Sequence, residues 1–218
     1  MRVLSWNVRK AVGLDWVPRP ARAMAVIAAQ APDVVLLQEV DARVGPSRSS
    51  IPRELIAAHG FRAVELGGRA LGHRGNAMLV RDGLAVGEAR PLDLPSWRIE
   101  PRGGLLVRVE GLWIAGVHLS LGRGYRRRQV ARLTADLPAR CLVAGDFNER
   151  APDPAVLGVA PPWEMTVPGP SFHAAWPRLA LDRFLHRGVT LRAARVVPPE
   201  AARRASDHLP VVAEVAQA

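Results

Sequence analysis

Short β-branched apolar runs, each closed by turn residues, recur along the whole chain. This feature constrains the fold more than any other. The runs fall at 2–8, 33–39, 76–81, 104–110, 112–119, 140–146, 179–185, 190–197 and 210–215. Their length favours strands over helices. Runs 104–110 and 112–119 are parted by Gly111 alone, which predicts a hairpin. Three other stretches carry helical spacing. Residues 19–30 have a proline near the start, 51–60 end on Gly60, and 125–137 put Val130, Leu133 and Leu137 on one stripe. Strands and helices mixed this way predict an α/β or α+β fold with more than one sheet. With 218 residues, 49% of them hydrophobic, a single domain over 1–218 with a sizeable core is expected.

The polar residues of interest stand at the ends of these runs. Asn7 follows LSW, Glu39 closes DVVLLQ, and His118 closes LWIAGV. Asp146 and Asn148 follow LVAG, and Asp207-His208 precede PVVAEV. Each alone reads as an ordinary turn or hydrogen-bonded residue. Asp182 is different, because it sits inside the apolar run LALDRFL. A carboxylate there needs a partner, and His208 or a nearby arginine is the candidate. Together the set has a chemical logic. Glu39, Asp146 and Asp207 supply carboxylates for a hard divalent cation, and Asn7 and Asn148 supply neutral amides. Cys/His ligand spacing is missing, so zinc is not expected, and an oxygen-rich site suits Mg2+ or Mn2+. A histidine oriented by a carboxylate can hold positive charge against a phosphoryl group.

Net charge is +10, and Lys10 is the one lysine among 30 basic residues. An arginine-rich balance suits a polyanionic partner, although a chain-wide bias toward Arg and Ala would produce the same numbers. The lone cysteine, Cys141, lies in the apolar run CLVAG and reads as a core residue. A single thiol makes no disulfide framework, which fits a reducing compartment. The segment MRVLSWNVRK is too short and polar for a signal peptide, and no apolar run reaches spanning length. A cytoplasmic, monomeric protein without stable membrane insertion is expected.

Seven segments, LSWNVR, LLQEV, GNAMLV, GVHLS, GDFNE, LDRFL and SDHLPV, lie in this order between residues 4 and 212. In that order and spacing they resemble the endonuclease/exonuclease/phosphatase superfamily of metal-dependent phosphoesterases. The resemblance implies a four-layer α/β/β/α sandwich. In it, two mostly antiparallel sheets pack face to face with helices outside. It implies Glu39, Asn7 and Asp207 on the metal side. Asp146 and Asn148 become the water-activating and phosphate-binding element, and His118 a phosphate contact or acid. His208 becomes the catalytic histidine, oriented by Asp182. Arg9, Arg74, Asn76 and Arg126 lie in or beside these segments and are the candidates for binding substrate. His73, Arg127 and Arg128 extend that basic set. Trp97, Trp163 and Trp176 read first as core aromatics and second as stacking surfaces.

The expected activity is Mg2+- or Mn2+-dependent hydrolysis of a phosphodiester, with nucleic acid as the partner. The alternatives are a small or lipid-linked phosphoester and, last, a non-catalytic binding module. Arg9 stands where abasic-site endonucleases of the superfamily carry an acidic residue. Tyr125 does not align with their active-site tyrosine.

Overall fold

The computed structural model describes residues 1–41, 49–66, 71–99 and 101–216. In chain order the elements are β1 (Arg2–Asn7), α1 (Pro20–Ala29), β2 (Val34–Gln38), α2 (Arg53–Ala58), β3 (Phe61–Ala63) and β4 (Ala77–Arg81). There follow β5 (Val86–Asp93), β6 (Gly103–Val109), β7 (Leu112–His118), α3 (Arg123–Asp136), β8 (Cys141–Asp146) and β9 (Glu164–Thr166). The chain closes with β10 (Asp182–Arg187), β11 (Thr190–Val196), α4 (Pro199–Ala202) and β12 (Val211–Ala216). Two six-stranded sheets result, ordered β11-β12-β1-β2-β4-β3 and β5-β6-β7-β8-β10-β9.

Each sheet has one parallel pair at its centre, β1–β2 or β7–β8, and antiparallel neighbours on both sides. Parallel neighbours need a crossover rather than a tight turn. Helix α1 supplies it in the first sheet and α3 in the second.

Side-chain alternation assigns the layers. Val3, Val34, Leu36, Ile114, Leu142, Ala144 and Phe184 form a core between the two sheets. Their alternates Leu4, Trp6, Val35 and Leu37 pack against Met24 and Ile27 of α1 and Ile56 of α2. On the far side, Ala115, Val117, Val143 and Leu185 meet Val130 and Leu133 of α3, with Leu137 just beyond it. This is the four-layer sandwich. Cys141 lies in that outer core, where burial pushes its thiol up to about 12. A Cβ on Gly116 would come 3.0 Å from Leu36 of the opposing sheet, so glycine lets the two parallel pairs approach closely.

Three strands escape the sequence pattern: β3, β5 and β9. All three are edge strands. An edge strand need not bury an alternating face, and β5 even carries Pro91. The run expected at 179–185 becomes a strand only at Asp182. Asp182 therefore opens its strand instead of sitting within it. The β6–β7 turn uses two residues, Glu110 and Gly111, both at positive φ, as a two-residue hairpin requires. Among the described residues no helix is long and apolar enough to cross a membrane.

Candidate active site

The inward-facing register of the inter-sheet core continues to the strand ends. Along β1 it runs Val3, Ser5, Asn7; along β7, Ile114, Gly116, His118; along β8, Leu142, Ala144, Asp146. Where apolar packing stops, each of these strands delivers a polar side chain into the same space. Asp146 stands opposite His118 on its parallel neighbour and opposite Asp182 on its antiparallel one. The parallel pairs matter because both of their carboxyl ends open on one side of the sandwich.

Asp146 is the shared residue, and it is almost fully buried. Its Oδ2 accepts from Asn7 Nδ2 at 3.1 Å and lies 3.4 Å from His118 Nε2 and 3.7 Å from His208 Nε2. Its Oδ1 accepts from the backbone N–H of Asn148 at 2.9 Å. Asn148 adopts φ 52°, a conformation asparagine tolerates better than most residues. Its Nδ2 donates to Leu119 O at 3.0 Å.

On one flank, Asn7 Nδ2 also donates to Glu39 Oε1 at 3.0 Å, so one amide holds two carboxylates. Asn7 Oδ1 accepts from Arg9 N at 3.1 Å, which fixes the amide's orientation. Asn7 thus works as a donor to the acidic pair. Glu39 is half-exposed, with Lys10 Nζ 3.7 Å from its Oε2. Arg9, Lys10 and Ala11 all take positive φ. Such a left-handed run costs energy at each non-glycine residue. It is held by Lys10 N donating to Glu39 O at 2.8 Å and Ala11 N to Val8 O at 2.7 Å. Asp207 turns toward Arg9, whose Nε lies 3.5 Å away, and does not join Glu39 and Asp146 in one tight group.

On the other flank, His208 Nδ1 donates to Asp182 Oδ2 at 2.9 Å, and Ser171 Oγ donates to the same oxygen. Trp6 Nε1 donates to His208 O at 2.8 Å, and the Phe172 ring lies 4.9 Å from the imidazole. Ser206 Oγ donates to Asn7 O at 2.7 Å and accepts from His208 N, so it ties the two flanks together. Asp182 is fully buried, and its Oδ1 has no hydrogen-bond partner among the described residues.

The two histidines are driven in opposite directions. Burial pushes His118 down to about 4, and Asp146 only partly opposes this. Burial also works against a charged His208, but Asp182, Asp146 and Asp207 outweigh it and raise the ring to about 10. At neutral pH the site therefore holds a neutral imidazole and an imidazolium on either side of one carboxylate.

Beside His208 and Asn148 opens a cleft of about 510 Å³. Phe172, Leu179, Leu181 and Leu121 give it apolar walls, and Arg123 and Arg150 line it as well. Arg126, expected to bind substrate, also lines this cleft, but it is buried and its guanidinium is taken up by protein groups. Its Nε and Nη2 donate to Glu149 Oε2, and its Nη1 donates to the carbonyls of Ser120 and Leu121. Glu149, beside Asn148, is fully buried. Burial opposes its ionisation, but Arg123, the Ala151 N–H and Arg126 hold it down at about 2. The buried Arg183 guanidinium donates to Glu149 O and Ala151 O from behind.

Asn76 is likewise turned inward. Its Nδ2 donates to His73 O, Arg74 O and Gly103 O, which shapes the loop before β4. Arg74 and His73 pair with Asp93, at 3.5 and 3.0 Å. Trp163 is core, whereas Trp97 and Trp176 are exposed. Sequence reasoning passed over Ser171, Ser206 as a linking group, and Glu149. No local pattern marks them, because their partners are 11, 199 and 23 residues away.

The described residues contain one group of three His, Cys, Asp or Glu side chains with ligand atoms within 4.8 Å of one another, Asp146, Asp182 and His208. This group could hold an ion. However, Asp182 and His208 are already bonded to each other, and a metal would have to displace a proton held up to about 10. The Glu39–Asp146 pair fits a hard cation better. It offers oxygens only and joins two carboxylates through one amide, with the partly exposed Lys10 as a cation 3.7 Å from Glu39 that an ion would displace.

Acidic oxygens on one side of a shared carboxylate and a fixed positive charge on the other match the needs of phosphoester hydrolysis. That is the class of protein the fold and site define. The model of the Endonuclease/Exonuclease/phosphatase family matches residues 4–208, and the chain belongs to this family, whose members hydrolyse phosphoesters. The uncharacterized protein YbhP of Escherichia coli (strain K12) is 31% identical over 162 residues. That match covers 66% of this chain, which spans about 63% of the length of YbhP. An endonuclease/exonuclease/phosphatase from Beutenbergia cavernae superposes with TM-score 0.73 at 26% identity, over 99% of this chain and 71% of that one. The fold also matches Danio rerio TDP2 complexed with a single-strand DNA product (TM-score 0.74, 18% identity, 100% and 99% coverage). It matches the human Nocturnin catalytic domain with bound sulfate (TM-score 0.70, 18% identity, 99% and 94% coverage).

Proposed function

We propose that this chain is a divalent-cation-dependent phosphodiesterase that cleaves nucleic-acid phosphodiesters by attack of water. The observation that carries the reading is Asp146, shared between the Asn7–Glu39 pair and the His208 imidazolium. Glu39 and Asp146 would hold Mg2+ or Mn2+. When bound, such an ion supplies Lewis-acid polarisation of a phosphoryl oxygen. His208, fixed by Asp182, presents positive charge to the phosphoryl oxygens as negative charge builds on them. Asp146, with His118 neutral beside it, is positioned to orient the attacking water and accept its proton. Asn148 donates to Leu119 through Nδ2 and keeps its own carbonyl oxygen for water or substrate. The charge of +10 supports a polyanionic substrate.

Purified protein with Mg2+ or Mn2+ should cleave oligonucleotides, and EDTA should abolish the cleavage. Intact DNA and RNA at every metal tried would reject the nucleic-acid reading. No turnover of bis-p-nitrophenyl phosphate either would reject the catalytic one. A second reading keeps the catalyst and replaces the substrate with a lipid-linked phosphodiester. The apolar side chains exposed around the site favour it.

A further inference from the structure

Six large apolar side chains are exposed among the described residues: Trp16, Val17, Trp97, Ile99, Leu121 and Trp176. Scattered exposure would need no comment. These six are not scattered. Trp16 and Val17 follow β1, the strand that ends in Asn7. Trp97 and Ile99 join β5 to β6, whose Gly104 pairs with Val117 beside His118. Leu121 follows β7, and Trp176 precedes Asp182 at the start of β10. Every one stands on a connection at the active-site end.

Each of these connections also carries arginine. Arg9 stacks on Trp16 at 4.2 Å from the ring centre, and Arg178 on Trp176 at 4.8 Å. Arg98 is exposed between Trp97 and Ile99, and Arg123 follows Leu121. Asp15 is engaged by Arg22, Asp93 by His73 and Arg74, Asp207 by Arg9 and Glu149 by Arg123, so the exposed Arg98 and Arg178 carry the positive charge of this face among the described residues. The face is therefore apolar at its tips and cationic between them, which calls for an anionic partner with an apolar interior.

We infer that this face docks on an anionic lipid bilayer surface, the setting in which the lipid-linked substrate of the second reading would be met. Two observations favour a bilayer over a nucleic-acid strand. Bases stack on aromatic rings, yet Ile99 and Leu121 are 80% and 68% exposed and offer no ring. Further, the tips spread over two dimensions. They run from the β5–β6 connection to β10 across one sheet, roughly 15–20 Å at ~4.8 Å per strand, and reach the other sheet, about 10 Å away, at Trp16. A strand follows one line, while a bilayer touches all four connections together. Tryptophan, aliphatic and arginine side chains side by side suit the bilayer interface.

The biological meaning rests on the lipid-linked reading above, but docking is measurable without turnover. The intact protein should co-sediment with phosphatidylglycerol vesicles and not with phosphatidylcholine vesicles, and its tryptophan emission should shift to the blue. The triple variant Trp97→Ser/Ile99→Ser/Trp176→Ser should lose at least about ten-fold in vesicle affinity. It should still hydrolyse soluble bis-p-nitrophenyl phosphate at the unaltered protein's rate. Glu39→Ala should do the reverse, keeping vesicle binding while losing hydrolysis. No vesicle association would overturn the inference, and so would association undiminished in the triple variant. Tryptophan quenching by oligothymidylate without any response to vesicles would likewise overturn it and assign the face to nucleic acid.

Discussion

The two flanks of Asp146 are built differently. On the His208 flank Asp182, Ser171, Trp6 and His208 are buried and tied down, Ser171 and His208 on Asp182 and Trp6 on the His208 carbonyl, with the half-buried Phe172 against the ring. On the Glu39 flank the carboxylate is half-exposed, Lys10 is loose at 3.7 Å, and the backbone at Arg9–Ala11 is left-handed. Fixed charge aimed at a transition state acts only if it does not reorganise, so the imidazolium is locked in place. A cation must enter from water and leave again, so Glu39 faces solvent while Asp146 stays buried behind it. One flank is preformed, and the other is completed by its ligand.

That contrast can be broken experimentally. His208→Ala removes the locked charge, and kcat should fall about a hundred- to ten-thousand-fold with the fold intact. Near-normal steady-state rates would refute its role. Glu39→Gln touches the open flank, and titration of activity with Mg2+ should show an apparent affinity roughly ten- to a hundred-fold weaker. Equal loss at saturating metal would mean the flanks do not differ in this way. Asp182→Asn keeps the shape but loosens the ring, so kcat should fall about ten- to a hundred-fold, less than for His208→Ala. A melting loss larger than the activity loss would make Asp182 chiefly structural.

Glu149→Ala leaves the Arg126 guanidinium buried without its carboxylate, and denaturant unfolding should show a loss of roughly 3–5 kcal/mol. A further prediction concerns pH. His208 is raised from 6.5 to about 10, so its stabilisation is full below 6.5 and fades as pH climbs to about 10. His118 is lowered from 6.5 to about 4, so stability falls as pH drops from 6.5 to about 4. Denaturation midpoints should peak near 6.5, and His208→Ala should flatten only the alkaline side.

Much of this was legible in the linear chain, for definite reasons. Central strands bury both faces, so β1, β2, β7, β8 and β12 announce themselves as apolar runs. Residues such as Asn7, His118 and Asp146 stand out because polarity interrupts those runs at their ends. The edge strands β3, β5 and β9 bury too little to leave a pattern. Arg126 stood with the arginines expected to bind substrate, because helix phase alone could not show that it turns inward to Glu149. Trp97 and Trp176 looked like core for the opposite reason, since composition cannot report exposure.

By itself, the sequence determined the central strands, their order and the chemistry placed at their ends, because strand periodicity and turn residues are local properties. Only the tertiary structure decided which polar ends share a space. Pairing β1 with β2 and β7 with β8 in parallel, and stacking those pairs, brings Asn7, Glu39, His118 and Asp146 to one edge of the core. Antiparallel β10 and β12 return Asp182 and His208 to that same edge. Separations of 139 and 32 residues close to about 3 Å around one amide because the sheets fix their register.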